Sequence, residues 1–119
     1  MQPDSAARLW EAGDAARSVQ EIVKGRTWDE YQADQTLRWA LERGFTIIGE
    51  ALSQLRRTDP ETATKIPDVA QIIGFRNVLV HGYVDIKHRV VWDAAVQNVP
   101  GVIAAITSLL DGQSDTARP

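Results

Sequence analysis

The sequence predicts an all-α protein, an up-and-down bundle of four to five helices that pairs into a dimer. Three observations carry this. Apolar residues recur at spacings of three, four and seven along most of the 119-residue chain. The interruptions fall at Gly, Pro and residues that cap helices. Strand patterning is nearly absent: Arg89-Val90-Val91-Trp92 fits an extended segment, but the residues after it are helical in pattern. The dimer is expected from the limited core of so short a chain and from its four Trp, two Tyr and two Phe, more aromatic surface than one small bundle easily hides.

The first helix is expected from Asp4 or Ser5 to Lys24, with Asp4 and Ser5 as N-cap candidates and Leu9, Ala12, Val19, Ile22 and Val23 on its apolar face. Gly25 ends it. Thr27-Trp28-Asp29-Glu30 is a capping-box pattern that opens a long second helix reaching Arg56. Gly44 and Gly49 lie inside that helix, where each glycine costs about 1 kcal/mol relative to alanine. Their large apolar neighbours point to close approach of another helix. Residues 57–67 read as a polar connection with at most one short turn. Pro67-Asp68 starts a helix ending at His81, with Gly82 placed to close it. Tyr83 to Lys87 reads as a loop. A helix from His88 to about Asn98 is kinked or restarted by Pro100 and runs to Asp111-Gly112. A single domain over 1–112, followed by a frayed tail over 113–119, is the simplest organisation.

Composition narrows the function. There is no cysteine, which removes disulfides, thiolate zinc sites and a cysteine nucleophile. No run approaches the ~18 apolar residues of a membrane span, and residues 1–5 lack the pattern of a secretory signal, so a cytoplasmic protein is expected. The net charge is −3, whereas a general nucleic-acid binder is basic. Any nucleic-acid role therefore rests on a local patch or on catalysis. Residues 54–89 are the only net-positive section, with six basic and four acidic residues, and they hold both histidines, His81 and His88.

The chemistry-bearing stretch is Gly74-Phe75-Arg76-Asn77-Val78-Leu79-Val80-His81-Gly82-Tyr83. Arg76 and His81, five apart, lie about 140° apart around an ideal helix. That spacing suits a seam completed by a two-fold partner better than a flat surface. An imidazole at a helix C-terminus can move protons near neutral pH. A guanidinium matches phosphate oxygens, and Asn77 adds a neutral donor and acceptor. Without thiolates or clustered carboxylates, the set fits metal-free cleavage of RNA by its own 2′-OH, with histidine transferring protons and arginine stabilising the transition state. By spacing alone, a histidine capping its helix beside a solvated arginine explains the same residues more economically.

The surrounding blocks bear on that choice. Arg76-Asn77-Val78-Leu79-Val80-His81-Gly82-Tyr83, an Arg-x4-His-x-Tyr signature, is joined by Ile47-Ile48-Gly49-Glu50-Ala51, Ile72-Ile73-Gly74-Phe75, Val91-Trp92-Asp93 and Val99-Pro100. In this order and spacing the chain resembles the HEPN superfamily, specifically its HepT-like toxins, from about residue 5 to 112. The resemblance implies an all-helical homodimeric ribonuclease toxin without a cofactor. Arg76 and His81 become the catalytic pair and Asn77 the polar helper. It also implies a partner, a minimal nucleotidyltransferase antitoxin of the MNT type that transfers AMP from ATP to Tyr83. An AMP there sets bulk and negative charge beside Arg76 and His81. The net acidity leaves a second reading, a non-catalytic nucleotide- or protein-binding module that partners a nucleotidyltransferase.

The remaining candidates are less specific. Glu50 either orients a motif residue or faces solvent. His88 is expected to be a solvated loop histidine rather than a metal ligand. Arg56, Arg57 and Lys65 read as solvated. Trp10, Trp28, Trp39 and Trp92 suit core or dimer packing better than base stacking.

Overall fold

The computed structural model describes residues 1–81 and 87–117, with side chains described for 1–80 and 87–112. The regular elements among the described residues are all helices, with no strand among them. In order come α1 (Ser5–Val23), α2 (Trp28–Ala33), α3 (Gln35–Thr58), α4 (Pro60–Ala63), α5 (Val69–His81), α6 (His88–Asp93), a π-helical turn (Ala94–Asn98) and α7 (Val99–Ala117). The Cα envelope measures 52 × 30 × 18 Å, an elongated slab.

α3 is the spine. It packs against α1 on one side and α5 on the other, and α7 closes the bundle over α1. Leu9, Ala12, Ala16 and Val19 of α1 meet Leu41, Phe45, Ile48, Leu52 and Leu55 of α3 in a core that Ile72, Val99, Val102 and Ile106 complete. Both glycines of α3 are interface positions, as their surroundings predict. A Cβ at Gly44 would overlap the Val19 side chain, and one at Gly49 would overlap Arg76. Among the described elements α5 leans on α3 and little else, leaving Val78 and Val80 exposed.

Four local expectations are corrected. The long helix predicted from Thr27 is two helices. The Thr27–Glu30 capping box forms as expected, but Asp34 ends α2 and caps α3, its carboxylate accepting from the N–H groups of Thr36 and Leu37. At the N-terminus, neither Asp4 nor Ser5 caps α1 through its side chain. The buried Ser5 hydroxyl instead donates to Asp59 at 2.6 Å. Near the C-terminus the α-helix is interrupted and restarts at Val99, next to Pro100, as expected. A proline ring clashes with the carbonyl four residues back, and the wider π-helical turn directly before it, closed by Val99 N–H donating to the Ala94 carbonyl, absorbs the misfit. Helical backbone then continues past Gly112 to Ala117. Finally, His88–Gly112 is long and apolar enough to cross a membrane by length and composition, with a mean hydropathy of 1.3 over its best window. Its Val91, Trp92, Ala94, Ala95, Val99, Val102 and Ile106 are buried in the bundle core.

The tryptophans divide. Trp92 is buried and Trp28 packs against the core, while Trp10 and Trp39 are more than 60% exposed, so core packing does not account for those two.

Asp59 ties the N-terminus to the α3–α4 junction. Its carboxylate, 6% exposed, accepts from the Ser5 hydroxyl, the Thr62 hydroxyl and the backbone N–H groups of Gln2 and Thr62. The two hydroxyls, Ser5 first, and then the Gln2 N–H favour the charged form. They hold its pKa well below the usual carboxylate range, against the opposing effect of burial. With the folded pKa depressed, this contribution to stability is complete above about pH 4, the unfolded value, and is lost as pH falls below it. Asp59→Asn is therefore expected to lower the melting temperature by several degrees at pH 7 and to flatten its fall below pH 4. Thermal melts of both proteins from pH 2 to 7 check this.

Candidate functional site

The site grows from the contact of α3 with α5. Phe45 and Phe75 meet edge to face, with centroids 5.6 Å apart, and Gly49 lies against Ile72 and Arg76. Later residues of α5 thus meet earlier residues of α3, and the two helices are antiparallel. Chain entry into α5 is also specified. Asp68 adopts the left-handed region with φ of 60°, which an Asp side chain tolerates better than most. Its carboxylate accepts from the Asn98 amide at 2.7 Å, fastening the start of α5 to the π-helical turn.

Arg76 projects from the middle of α5. With no side chain at Gly49, its Cβ and Cγ lie directly on the α3 backbone. The stem is pinned and the side chain is half-buried. Nη1 donates to the Asn77 side-chain oxygen at 3.1 Å, and Nε is buried without a hydrogen-bond partner among the described residues. Among those residues no carboxylate comes within ion-pair distance of Arg76, whereas Arg8, Arg26 and Arg89 are each paired with one. A guanidinium that is anchored, partly desolvated and unneutralised is prepared for an anion. Asn77, exposed beside it, holds one edge of the fork.

The other sequence candidates divide. His81 is the last residue of α5, in the place at a helix C-terminus that the sequence assigns it. Its side chain, and Gly82 and Tyr83 altogether, lie outside the described residues. Glu50 is exposed, with no hydrogen bond to Arg76 or Asn77 among the described residues. His88 is not a solvated loop residue. It opens α6 with its ring edge-on to the buried Tyr31, centroids 6.3 Å apart, and its Nδ1 lies 4.0 Å from Oε2 of Glu42. Burial raises the Glu42 pKa, opposed by the nearby charges of His88 and Arg38, and burial with Glu42 behind it pushes the Tyr31 phenol up to about 12.

Glu42 and Tyr31 escape a reading of the sequence. The available signal is position: Glu42 stands seven residues before Gly49, so the two share one stripe of α3. The helical period of the apolar residues draws attention away from a carboxylate beside them.

Comparison with known proteins supplies the family. Residues 12–109 match the family model described as Ribonuclease HepT-like. The chain belongs to the HepT-like family. Among the proteins it is similar to, "Putative RNase TTE0752" of Caldanaerobacter subterraneus subsp. tengcongensis is 30% identical over 90 residues, covering 76% of this chain and 80% of that protein. "Putative RNase MJ1380" of Methanocaldococcus jannaschii is 28% identical over 99 residues, covering 83% and 90%. "Probable ribonuclease HepT" of Thermococcus cleftensis is 22% identical over 94 residues, covering 79% and 84%. No solved structure matches the chain with significance. The match spans α3, α5 and α6, so the HepT-like assignment covers every element that builds the site.

Proposed function

We propose that this HepT-like protein is a metal-independent endoribonuclease, the toxin of a toxin–antitoxin pair. The observation that carries the reading is Arg76, pinned on Gly49 and free of any carboxylate among the described residues, about 1.4 turns before His81 on the same helix. In this mechanism the His81 imidazole takes the proton of a ribose 2′-OH. The oxygen attacks the adjacent phosphorus, and the 5′-oxygen leaves with a proton. Arg76 stabilises the charge gathering on the phosphoryl oxygens, and Asn77 steadies the guanidinium. The requirement for a 2′-OH makes RNA the substrate class.

A homodimer fits the same residues. Near its C-terminal end α5 leaves Val78 and Val80 exposed, about 160° apart around the helix, so a second copy packed against this end would cover apolar surface and bring two Arg-x4-His ends together. The reading includes control by a minimal nucleotidyltransferase that moves AMP from ATP to the Tyr83 hydroxyl, releasing pyrophosphate. The added phosphate would occupy the charge that Arg76 offers to RNA. Co-expression with such a transferase is expected to add AMP-sized mass increments to the wild type and none to Tyr83→Phe, read by intact-mass spectrometry.

RNA cleavage in EDTA by the wild type and by His81→Ala tests the reading directly. Equal cutting by the two proteins would remove His81 from the chemistry. The net charge of −3 favours the alternative of a non-catalytic module. Growth arrest on induction of the protein alone, lost in His81→Ala, decides for the toxin, and harmless expression decides for the module.

A further inference from the structure

The ribonuclease reading needs two proton transfers, one from the 2′-OH and one to the departing 5′-oxygen; each Arg-x4-His motif supplies one imidazole, and in the proposed dimer His81 of a second copy is one source of the other. The structure holds a second imidazole in a suitable setting. His88 Nδ1 is buried and faces Glu42 Oε2 at 4.0 Å. The side chain as a whole is 41% exposed, so its accessible part lies on the side away from Nδ1, where Nε2 is. The Tyr31 ring, 1% exposed, sets the imidazole plane at 70° to its own. A carboxylate behind one ring nitrogen and solvent before the other is the arrangement by which proteins fix the tautomer and direction of an acid–base histidine. Such contacts are often long without substrate.

The location is right as well. The antiparallel register that sets Gly49 beside Ile72 and Arg76, and Phe45 beside Phe75, brings the end of α5 level with Leu41 and Glu42 one turn further on. α6 starts at His88 against that same Glu42. By this register the last residue of α5 and the first of α6 stand level with the same stretch of α3, within about one helical turn, roughly 5 Å along its axis.

We propose that His88 is a second catalytic residue, the general acid for the leaving 5′-oxygen, and that Glu42 is the positioning residue that orients it. This rests on the ribonuclease reading above. His81 accepts the 2′-OH proton as the O2′–P bond forms. The P–O5′ bond breaks, and O5′ takes the proton from Nε2 of the His88 imidazolium. The products are a 2′,3′-cyclic phosphate and a 5′-hydroxyl, with no water consumed. Solvent then returns each imidazole to its starting state. The titratable groups in contact with His88 are Tyr31 from α2 and Glu42 from α3, both of which feel the charge of Arg38; Lys87, Arg89 and Asp93 lie near it on its own segment, the last two paired with each other.

The test uses the full chain and an RNA oligonucleotide in EDTA. His88→Asn is expected to lower kcat by about 10²-fold with KM little changed, and to lose one limb of the kcat–pH profile. A substrate whose 5′-bridging oxygen is replaced by sulfur leaves as a thiolate and needs no acid. It should restore His88→Asn to near the wild-type rate and leave His81→Ala inactive. Glu42→Gln guards against a folding defect at His88. In 15N spectra the neutral His88 ring of the wild type should carry its proton on Nδ1, and in Glu42→Gln the Nε2–H form should appear. If the wild type cuts RNA but His88→Asn keeps its pH profile and gains nothing from the sulfur substrate, His88 is not the acid and the ribonuclease reading survives. A wild type that does not cut removes both.

Discussion

Replacing Arg76 or His81 with alanine is expected to reduce RNA cleavage by about 10²- to 10³-fold, with the fold retained. For Arg76 the magnitude comes from the removal of one preorganised donor to a developing phosphoryl charge, an effect of that order in other enzymes. For His81 it comes from the loss of general base catalysis. The losses should fall mainly on kcat, because both groups act most strongly where charge develops. Arg76→Lys should not rescue. An ammonium keeps the charge but loses the planar fork, and it would no longer share a donor with Asn77 in the same geometry. Single-turnover cleavage of a defined oligonucleotide, with circular dichroism to verify the helices, measures both. Activity in Arg76→Ala within a few fold of wild type would assign the arginine to the helix surface.

Gly49→Ala should be the most damaging single-methyl substitution in the protein. A Cβ at this position collides with the Cβ and Cγ of Arg76 and sits 3.1 Å from the Ile72 carbonyl oxygen. Backbone cannot yield as the tip of a flexible side chain can, so α5 must move away from α3 and carry Arg76 with it. Overpacking of this kind costs about 1–3 kcal/mol. Displacing a positioned group by 1 Å can cost about 10²-fold in rate. Gly44→Ala provides the control. It overlaps Val19 on the opposite side of α3, so it strains the α1 interface and leaves that of α5 alone. Both variants should melt earlier than wild type, and only Gly49→Ala should lose cleavage at temperatures where both are folded. Equal losses of activity would mean that general destabilisation, not the placement of Arg76, is responsible.

The contrast between these glycines marks where reading the chain succeeds. Periodicity and capping chemistry are local, so helices at Ser5–Val23, Val69–His81 and from His88 onward are legible, as is the capping box at Thr27. That Gly44 and Gly49 admit close neighbours is legible too, because a glycine among large apolar residues on a helix has few other uses. Which neighbour each admits is not. The misreadings share a cause. Asp34 reads as one polar residue in a long period, yet its carboxylate finds two free N–H groups and splits the helix. Ser5 reads as a local cap and instead bonds a residue 54 positions away.

The chain order alone determined the all-helical class, the approximate elements and the Arg76–Asn77–His81–Tyr83 cluster, since each depends on residues within a turn or two of one another. Only the tertiary structure decided the setting: Arg76 laid on Gly49, Asp59 gathered with Ser5 and Gln2, and His88 turned from an expected surface residue into one braced by Glu42 and Tyr31. These contacts join residues from separate helices. Their partners are selected by how the helices pack, and packing is a property of the whole core rather than of any one segment.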